Sequence, residues 1–347
     1  MNLRVGVIGT GMMGQRHCRV YSTLRRAQLV GVCDANPAAG NRVARQYDVT
    51  FYETIEDLLT NVDAVTLATP TQSHFELAMR CLAQGVHVLI EKPITETLEQ
   101  AETLAKAAEA SRLVVQIGHI ERFNPTYIEL KHVLEGMTLL AVNLRRLSPY
   151  EGSNTDVDVV LDLMIHDIDL ALDLMGQEPT SVAAYGLTVF SGAIDHATVQ
   201  LGFDSGPLLT MTASRVTEQK VRAINVTAKK AYVEGDLLNK SISVHRRTVG
   251  EYLSQNNHQG IKYRQESIVE RISVPMAEPL FLELQSFVES ILERKPSSIP
   301  ARDGLKTLRL ATLIQNTIYE RLNSANEPGA SKAKASHAAE PALAATA

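Results

Sequence analysis

The sequence predicts an α/β protein with two parts. A doubly wound N-terminal sheet would bind a dinucleotide, and a C-terminal α/β unit would carry an open, mostly antiparallel mixed sheet. Three observations carry that prediction. A short apolar run at the start of the chain leads into the glycine pattern Gly9-Thr10-Gly11-Met12-Met13-Gly14. Strand and helix patterns then alternate to about residue 118, and the strands are near-continuous Val/Ile/Leu runs, as in a parallel sheet covered on both faces. Beyond residue 121 alternating strands dominate, as in a sheet with one covered face.

The first strand ends at the glycines and a helix over Met13 to Leu24 follows at once. Strand, tight turn and helix N-terminus in that order make a phosphate site of the Rossmann type. Gly9 makes the turn, Gly11 leaves bare backbone for a pyrophosphate, and Gly14 lets helix and strand pack closely. The second strand, Gln28 to Asp34, ends on an acid 34 − 14 = 20 positions after the last glycine. A carboxylate there accepts hydrogen bonds from the adenine ribose hydroxyls. It would repel a 2′-phosphate and no arginine follows directly, so the expected cofactor is NAD rather than NADP. The competing reading makes Asp34 a mere cap for the helix that starts near Pro37.

Thr50 to Tyr52 reads as a short strand, Glu53 to Thr60 as an amphipathic turn or two, and Ala64 to Pro70 as a buried strand. A helix over Ser73 to Gln84, a strand over His87 to Pro93, a helix over Leu98 to Ser111 and a strand over Leu113 to Gly118 complete the series. Ligands of such sheets sit beyond the carboxyl ends of the strands. That rule gathers Gly9, Asp34, Thr69, Pro70, Thr71, Glu91, Lys92, Pro93, Gly118 and His119 at one crevice. Gly11, Gly14, Met12 and Met13 of the turn, together with His74, complete the expected cofactor set.

The second part is expected to hold helices over Asn124 to Leu134 and Val159 to Met175. Its expected strands are Leu139–Leu147, Ser181–Val189, His196–Phe203, Leu208–Val216, Ala223–Lys229 and Ile268–Val274. Two amphipathic helices follow, Leu280 to Leu292 and Gly304 to Leu322. Polar Gly250 to Gln265 reads as a mobile loop, and the Ala/Ser/Lys-rich stretch from Ser324 to Ala347 as a disordered tail. The expected domains are therefore 1–120, 121–323 and the tail 324–347.

A chain of 347 residues is long for one core, and 21% charged with 45% hydrophobic residues is ordinary for a globular protein. A net charge of −5 without a basic block argues against nucleic acid as a partner. No apolar run approaches the roughly 18 residues that span a bilayer, and no signal core follows Met1, so a cytoplasmic protein away from membranes is expected. Cys18, Cys33 and Cys81 lack metal-ligand spacing and read as buried thiols; no metal is expected.

Two places carry candidate chemistry. Asp162, His166 and Asp169 are spaced by four and three, which puts them on one helix face. A histidine between carboxylates is suited to titrate near neutral pH, as a general acid–base requires, although a solvated or merely stabilising face reads the same way. Lys92 ends an apolar strand at the ligand edge. A cation there could hold a substrate hydroxyl and lower its pKa, unless it is simply a surface lysine. Hydride transfer from a secondary alcohol needs a cofactor face, a base and rigid positioning, and these residues offer all three.

The glycine turn, Glu91-Lys92-Pro93 and the Asp162-x-x-x-His166 helix together resemble the glucose–fructose oxidoreductase / inositol dehydrogenase / MocA (Gfo/Idh/MocA) family over roughly residues 1–322. The resemblance implies an NAD-dependent sugar dehydrogenase that forms dimers or tetramers through its C-terminal sheet. It implies Lys92, Asp162 and His166 as the catalytic residues. Here His166 is taken as the base and Lys92 as the hydroxyl-binding charge, though family members differ in which takes the proton.

Gly118-His-Ile-Glu121-Arg122-Phe-Asn124-Pro, Arg145-Arg146 and Ser214-Arg215-Val-Thr217 resemble more narrowly the branch that oxidises nucleotide-activated amino sugars. That implies oxidation at C3 of UDP-N-acetylglucosamine, with hand-off to an aminotransferase that makes a 3-amino sugar for a diamino-type lipid A. A UDP-sugar needs cationic and amide groups for its diphosphate, and Arg122, Asn124, Arg145, Arg146 and Arg215 could supply them. Glu121, Asp162 and His166 complete the expected substrate set. The arginines could equally be structural ion pairs. A free polyol such as inositol remains the alternative substrate, and a non-catalytic NAD-binding regulator the alternative of another class.

Overall fold

The apolar strands of the first half assemble as their composition requires, with both faces buried. The computed structural model describes residues 2–150, 152, 157–190, 192–252 and 262–326. Strands β1 (Leu3–Ile8), β2 (Ala27–Cys33), β3 (Thr50–Tyr52), β4 (Ala64–Leu67), β5 (His87–Glu91) and β6 (Val115–Gly118) form one parallel sheet in the order β3-β2-β1-β4-β5-β6. Val5, Val7, Val65, Leu67, Val88 and Ile90 are wholly buried in it. The order reverses between β1 and β4, so the crevice at their carboxyl ends is the switch point where ligands of such sheets bind.

Helices α1 (Met12–Tyr21), α2 (Pro37–Tyr47), α3 (Ile55–Leu59), α4 (His74–Ala83) and α5 (Leu98–Ala110) connect these strands. Local chemistry sets their starts. Thr97 and Gln100 form a reciprocal capping box on α5. Asn36, with Pro37 behind it, caps α2 by accepting from the amides of Ala38 and Ala39. Asp34 is thus not the cap.

The second sheet has eight strands in the order β14-β13-β12-β11-β7-β10-β9-β8. These are β7 (Leu139–Leu147), β8 (Ser181–Leu187), β9 (His196–Gly202), β10 (Leu208–Ser214), β11 (Val221–Ala228), β12 (Ala231–Asp236), β13 (Ser241–Tyr252) and β14 (Lys262–Ile272). Every pairing is antiparallel except β7 with β10, which makes the sheet mixed as expected. Two strands were missed: β12, short and interrupted by Gly235, and β13, whose polar half hides its alternation. Gly250–Tyr252 and Lys262–Gln265 belong to strands rather than to a loop, and 253–261 lie outside the described residues.

Helices α6 (Pro125–Leu134) and α7 (Ile165–Met175) pack on the inner face of this sheet, together with a π-helical turn at Val160–Met164 that leads into α7. α8 (Pro279–Leu292) returns to the first sheet, where Leu280, Leu284, Phe287 and Val288 share a core with Val5 and Val7. α9 (Ala301–Asn326) spans both sheets. Gly304 lies so close to the first that a Cβ would stand 2.9 Å from Ile117, while Ile314 and Ile318 join the core of the second. The expected tail begins inside α9 at Ser324; 327–347 lie outside the described residues. On the outer face of the second sheet Asn143 and Thr210 join side chain to side chain, as do Thr198 and Thr212.

Candidate active site

The three glycines divide the work as their spacing predicts. Gly9 has a φ of +89°, and a Cβ on it would stand 2.6 Å from the Ala68 carbonyl oxygen. A Cβ on Gly14 would fall 1.8 Å from the Gly9 carbonyl oxygen, so that glycine lets α1 press against the turn. Gly11 has nothing within 4 Å of such an atom; its bare backbone faces open space, which a pyrophosphate fits. A cavity of about 1000 Å³ opens there, lined among others by Gly9, Gly11, Met12, Met13, Asp34, Thr69, Pro70, Glu91 and Lys92.

Gly14, Thr71 and His74 of the expected set do not line the cavity. His74 is buried, its ring nitrogens 2.9 and 3.0 Å from the Pro93 and Thr69 carbonyl oxygens, so it ties two crevice loops together. Asp34 accepts from the Thr10 amide at 2.6 Å, the Thr10 hydroxyl at 2.7 Å and the Asn36 amide at 2.7 Å. Burial alone would raise its pKa, but these hydrogen bonds outweigh it and hold the carboxyl below its ordinary value. Thr10 escaped the sequence reading, as did Arg80. Arg80 reaches the cavity from α4 and pairs with Glu56 and with Glu76 at 3.6 Å.

At the far end of the cavity β5 delivers Glu91 and Lys92. Glu91 is anchored below by His17, whose Nε2 lies 2.8 Å from a carboxylate oxygen. Burial would raise the Glu91 pKa, but the His17 bond and the Lys92 charge bring it below its usual value. The Lys92 ammonium donates to the Asp162 backbone carbonyl at 2.9 Å and stands 3.8 Å from that residue's carboxylate. Burial lowers the Lys92 pKa, while Asp162 and Glu91 act in the opposite sense.

His166 differs from expectation. It was expected between two carboxylates, titrating near neutrality. Burial pushes its pKa well below 6.5, and Lys92, Arg146, His119 and Arg222 push the same way. The imidazole is therefore neutral at physiological pH. Asp169 does not serve it: that carboxylate accepts from Arg122 at 2.8 and 2.7 Å and lies 3.8 Å from His119. The π-helical turn alters the assumed spacing of four between Asp162 and His166; the Asp162 carbonyl accepts from Lys92, while Asp169 points into the interior.

The arginines expected to meet a diphosphate are mostly committed elsewhere. Arg122 joins Asp169, Asp173 at 3.4 Å and Asp303 at 3.0 Å. Arg146 donates to Asp167 at 2.9 and 2.7 Å and to Glu121 at 2.8 Å. Arg215 lies 3.6 Å from Asp195 and bonds the Val157 carbonyl. Asn124 caps α6 and bonds Glu121 and the Leu237 carbonyl. Arg145 is exposed, at an outward position of β7. A guanidinium enclosed by the fold must be neutralised where it lies, and these carboxylates do that. The cation that escaped notice is Arg222, which strand register could have flagged because it faces Arg146.

A dinucleotide cradle at a switch point, with a lysine at its end and a neutral histidine that feels that lysine's charge, belongs to a nicotinamide-dependent oxidoreductase. The family described as "Oxidoreductase family, NAD-binding Rossmann fold" matches residues 3–119, and the GFO/IDH/MocA C-terminal domain matches 146–234. The chain belongs to the GFO/IDH/MocA family, and its cofactor is NAD.

Among its relatives, UDP-N-acetylglucosamine 3-dehydrogenase of Acidithiobacillus ferrooxidans is 32% identical over 315 residues, 91% of this chain and 97% of that protein. Inositol 2-dehydrogenase of Rhizobium meliloti is 27% identical, over 92% and 98% of the two chains. A solved structure of the Acidithiobacillus enzyme matches with a TM-score of 0.84 at 31% identity, covering 93% of this chain and 99% of that one. Among the described residues no helix is long and apolar enough to cross a membrane, and no cluster of His, Cys, Asp and Glu could hold a metal ion.

Proposed function

We propose that this protein oxidises the 3-hydroxyl of UDP-N-acetylglucosamine to the ketone, with NAD as hydride acceptor. The observation that carries the chemistry is Lys92 at the end of the dinucleotide cradle, with a buried, neutral His166 near enough to feel its charge. The particular sugar rests on the Acidithiobacillus relative. Gly9, Gly11, Met12, Met13 and Asp34 would hold NAD, which when bound would supply the hydride acceptor for the carbon that bears the hydroxyl. His166, free of a proton, receives the hydroxyl proton as general base. Lys92 donates a hydrogen bond to the same oxygen and offsets the negative charge that develops on it. Asp162 fixes the ammonium through its backbone carbonyl. The products are the 3-keto sugar, NADH and a proton.

The ketone is the natural substrate of an aminotransferase that would draw the reaction forward toward a 3-amino sugar. The outer face of the second sheet, with its small polar side chains, suits self-association into dimers or tetramers, and the cytoplasm suits such a pathway. A free polyol is the second reading, favoured by the commitment of Arg122, Arg146 and Arg215 to carboxylates.

The test is NADH formation from NAD with a panel of UDP-sugars and free polyols, an aminotransferase or carbonyl trap being present. Turnover with UDP-N-acetylglucosamine and a 3-keto product is expected. Turnover confined to inositols would move the protein to the second reading. A protein that binds NAD but oxidises nothing in the panel would be better described as a regulator.

A further inference from the structure

We propose that Arg222 is the cation that receives the diphosphate of the nucleotide-sugar, an inference that rests on reading the substrate as a UDP-sugar. On β11 Arg222 stands directly opposite Arg146 of β7. Alternation places Arg222 on the same face as Ile224 and Val226, and Arg146 on the same face as Val142 and Leu144, all four of which enter the core of the second sheet. Two like charges facing each other across neighbouring strands repel. Of the two arginines, only Arg146 bonds the acids beside them: Asp167 and Glu121 both accept from it.

Arg222 bonds neutral acceptors instead. One terminal nitrogen donates to the Leu147 and Val221 carbonyls at 2.7 and 2.8 Å, and the other to the Ser148 hydroxyl at 3.0 Å. Among the described residues no carboxylate lies within ion-pairing distance of it, in contrast to Arg122, Arg146 and Arg215. Burial and the Arg146 charge bring its pKa down to about 10, although Asp167, Glu121 and Asp162 act in the opposite sense, so it stays charged at neutral pH. Its charge is felt at His166, and Asp162 acts on it in turn, so it shares the neighbourhood of the proposed reacting groups. A half-buried guanidinium held by neutral acceptors, beside a hydride-transfer site, is suited to a multivalent anion of phosphate chemistry. An uncharged polyol would bring no counter-charge of its own to it.

The probe is UDP, measured by titration calorimetry on the parent, Arg222→Ala, Arg222→Gln and Arg222→Lys, with NADH affinity and thermal melting as controls for folding. Loss of the charge should weaken UDP roughly tenfold or more and raise KM for UDP-N-acetylglucosamine in parallel, as expected for a lost charged hydrogen bond. NADH affinity should change little, and Arg222→Lys should recover part of the loss. Unchanged UDP affinity and KM in a folded Arg222→Ala or Arg222→Gln would overturn the assignment while leaving the substrate reading intact. A parent that binds no UDP would overturn both. UDP binding that depends on Arg222, in a parent that does not oxidise UDP-N-acetylglucosamine, would uphold the anion site and overturn the reaction.

Discussion

His166 illustrates how far a residue can be read before its surroundings are known. Its identity and its place one helical turn past Asp162 were legible in the sequence; its protonation state was not. The spacing suggested flanking acids, whereas the fold supplies burial and nearby cations. A neutral imidazole is the form a base needs. The activity should therefore keep its plateau below pH 6.5, where an ordinary histidine would already have been lost. On the alkaline side it should fall below pH 10.5, since Lys92 gives up its proton earlier than an unburied lysine. A profile of kcat/KM against pH checks both limbs; an acid limb at or above 6.5 would contradict the assignment of His166 as base. Lys92→Ala and His166→Ala should each reduce turnover about 10²-fold or more while NADH affinity is kept. Asp34→Ala should weaken NAD and narrow its advantage over NADP, measured as the ratio of the two dissociation constants.

At the scale of elements, the glycine turn and the parallel strands were legible because each depends on local sequence: a turn, a run of branched apolar residues, a cap. The charges that knit α6, α7 and α9 were not, because their partners lie far apart along the chain. Arg122, Asp169 and Asp303 meet only once α9 has crossed back. This separates two readings of Arg122. Its removal leaves Asp169 buried without its main partner, so Arg122→Ala should cost about 3–5 kcal/mol of stability by denaturant titration. At temperatures where the variant stays folded, KM for the sugar should not move.

Helix α8 adds a second case. Glu283 is wholly buried there, and neither carboxyl oxygen has a hydrogen-bond partner among the described residues. Burial, with Glu91 and Asp169 nearby, drives its pKa well above 4.5. The folded state thus keeps a proton that the unfolded chain releases above about pH 4.3. That contribution to stability is complete in acid and drains away as pH rises through the folded pKa. Glu283→Gln should therefore melt higher than the parent in alkaline buffer, with the gap closing toward acid. Parallel melting curves across the range would rule this out.

For the whole molecule, two α/β parts and their order were evident from the change in strand texture near residue 121. The way the chain ties them together was not, since an amphipathic helix does not announce which sheet its apolar stripe will meet. α8 serves the first core, and α9 serves both. The outer face of the second sheet invites a test of assembly. A charge placed at its centre by Thr210→Arg, beside Asn143, should shift the protein to a smaller species in light scattering without changing NADH affinity. An unchanged mass would contradict self-association through this face.

The π-helical turn at Val160–Met164 sets the rotational phase of everything that follows it on α7. An α-helix advances about 100° per residue, so one residue more or fewer in that turn would swing the imidazole of His166 by more than a quarter of a circle. Length is thus as critical in this stretch as the buried side chains it carries. A single-codon deletion there would separate base from ammonium even where every named side chain remained in the gene.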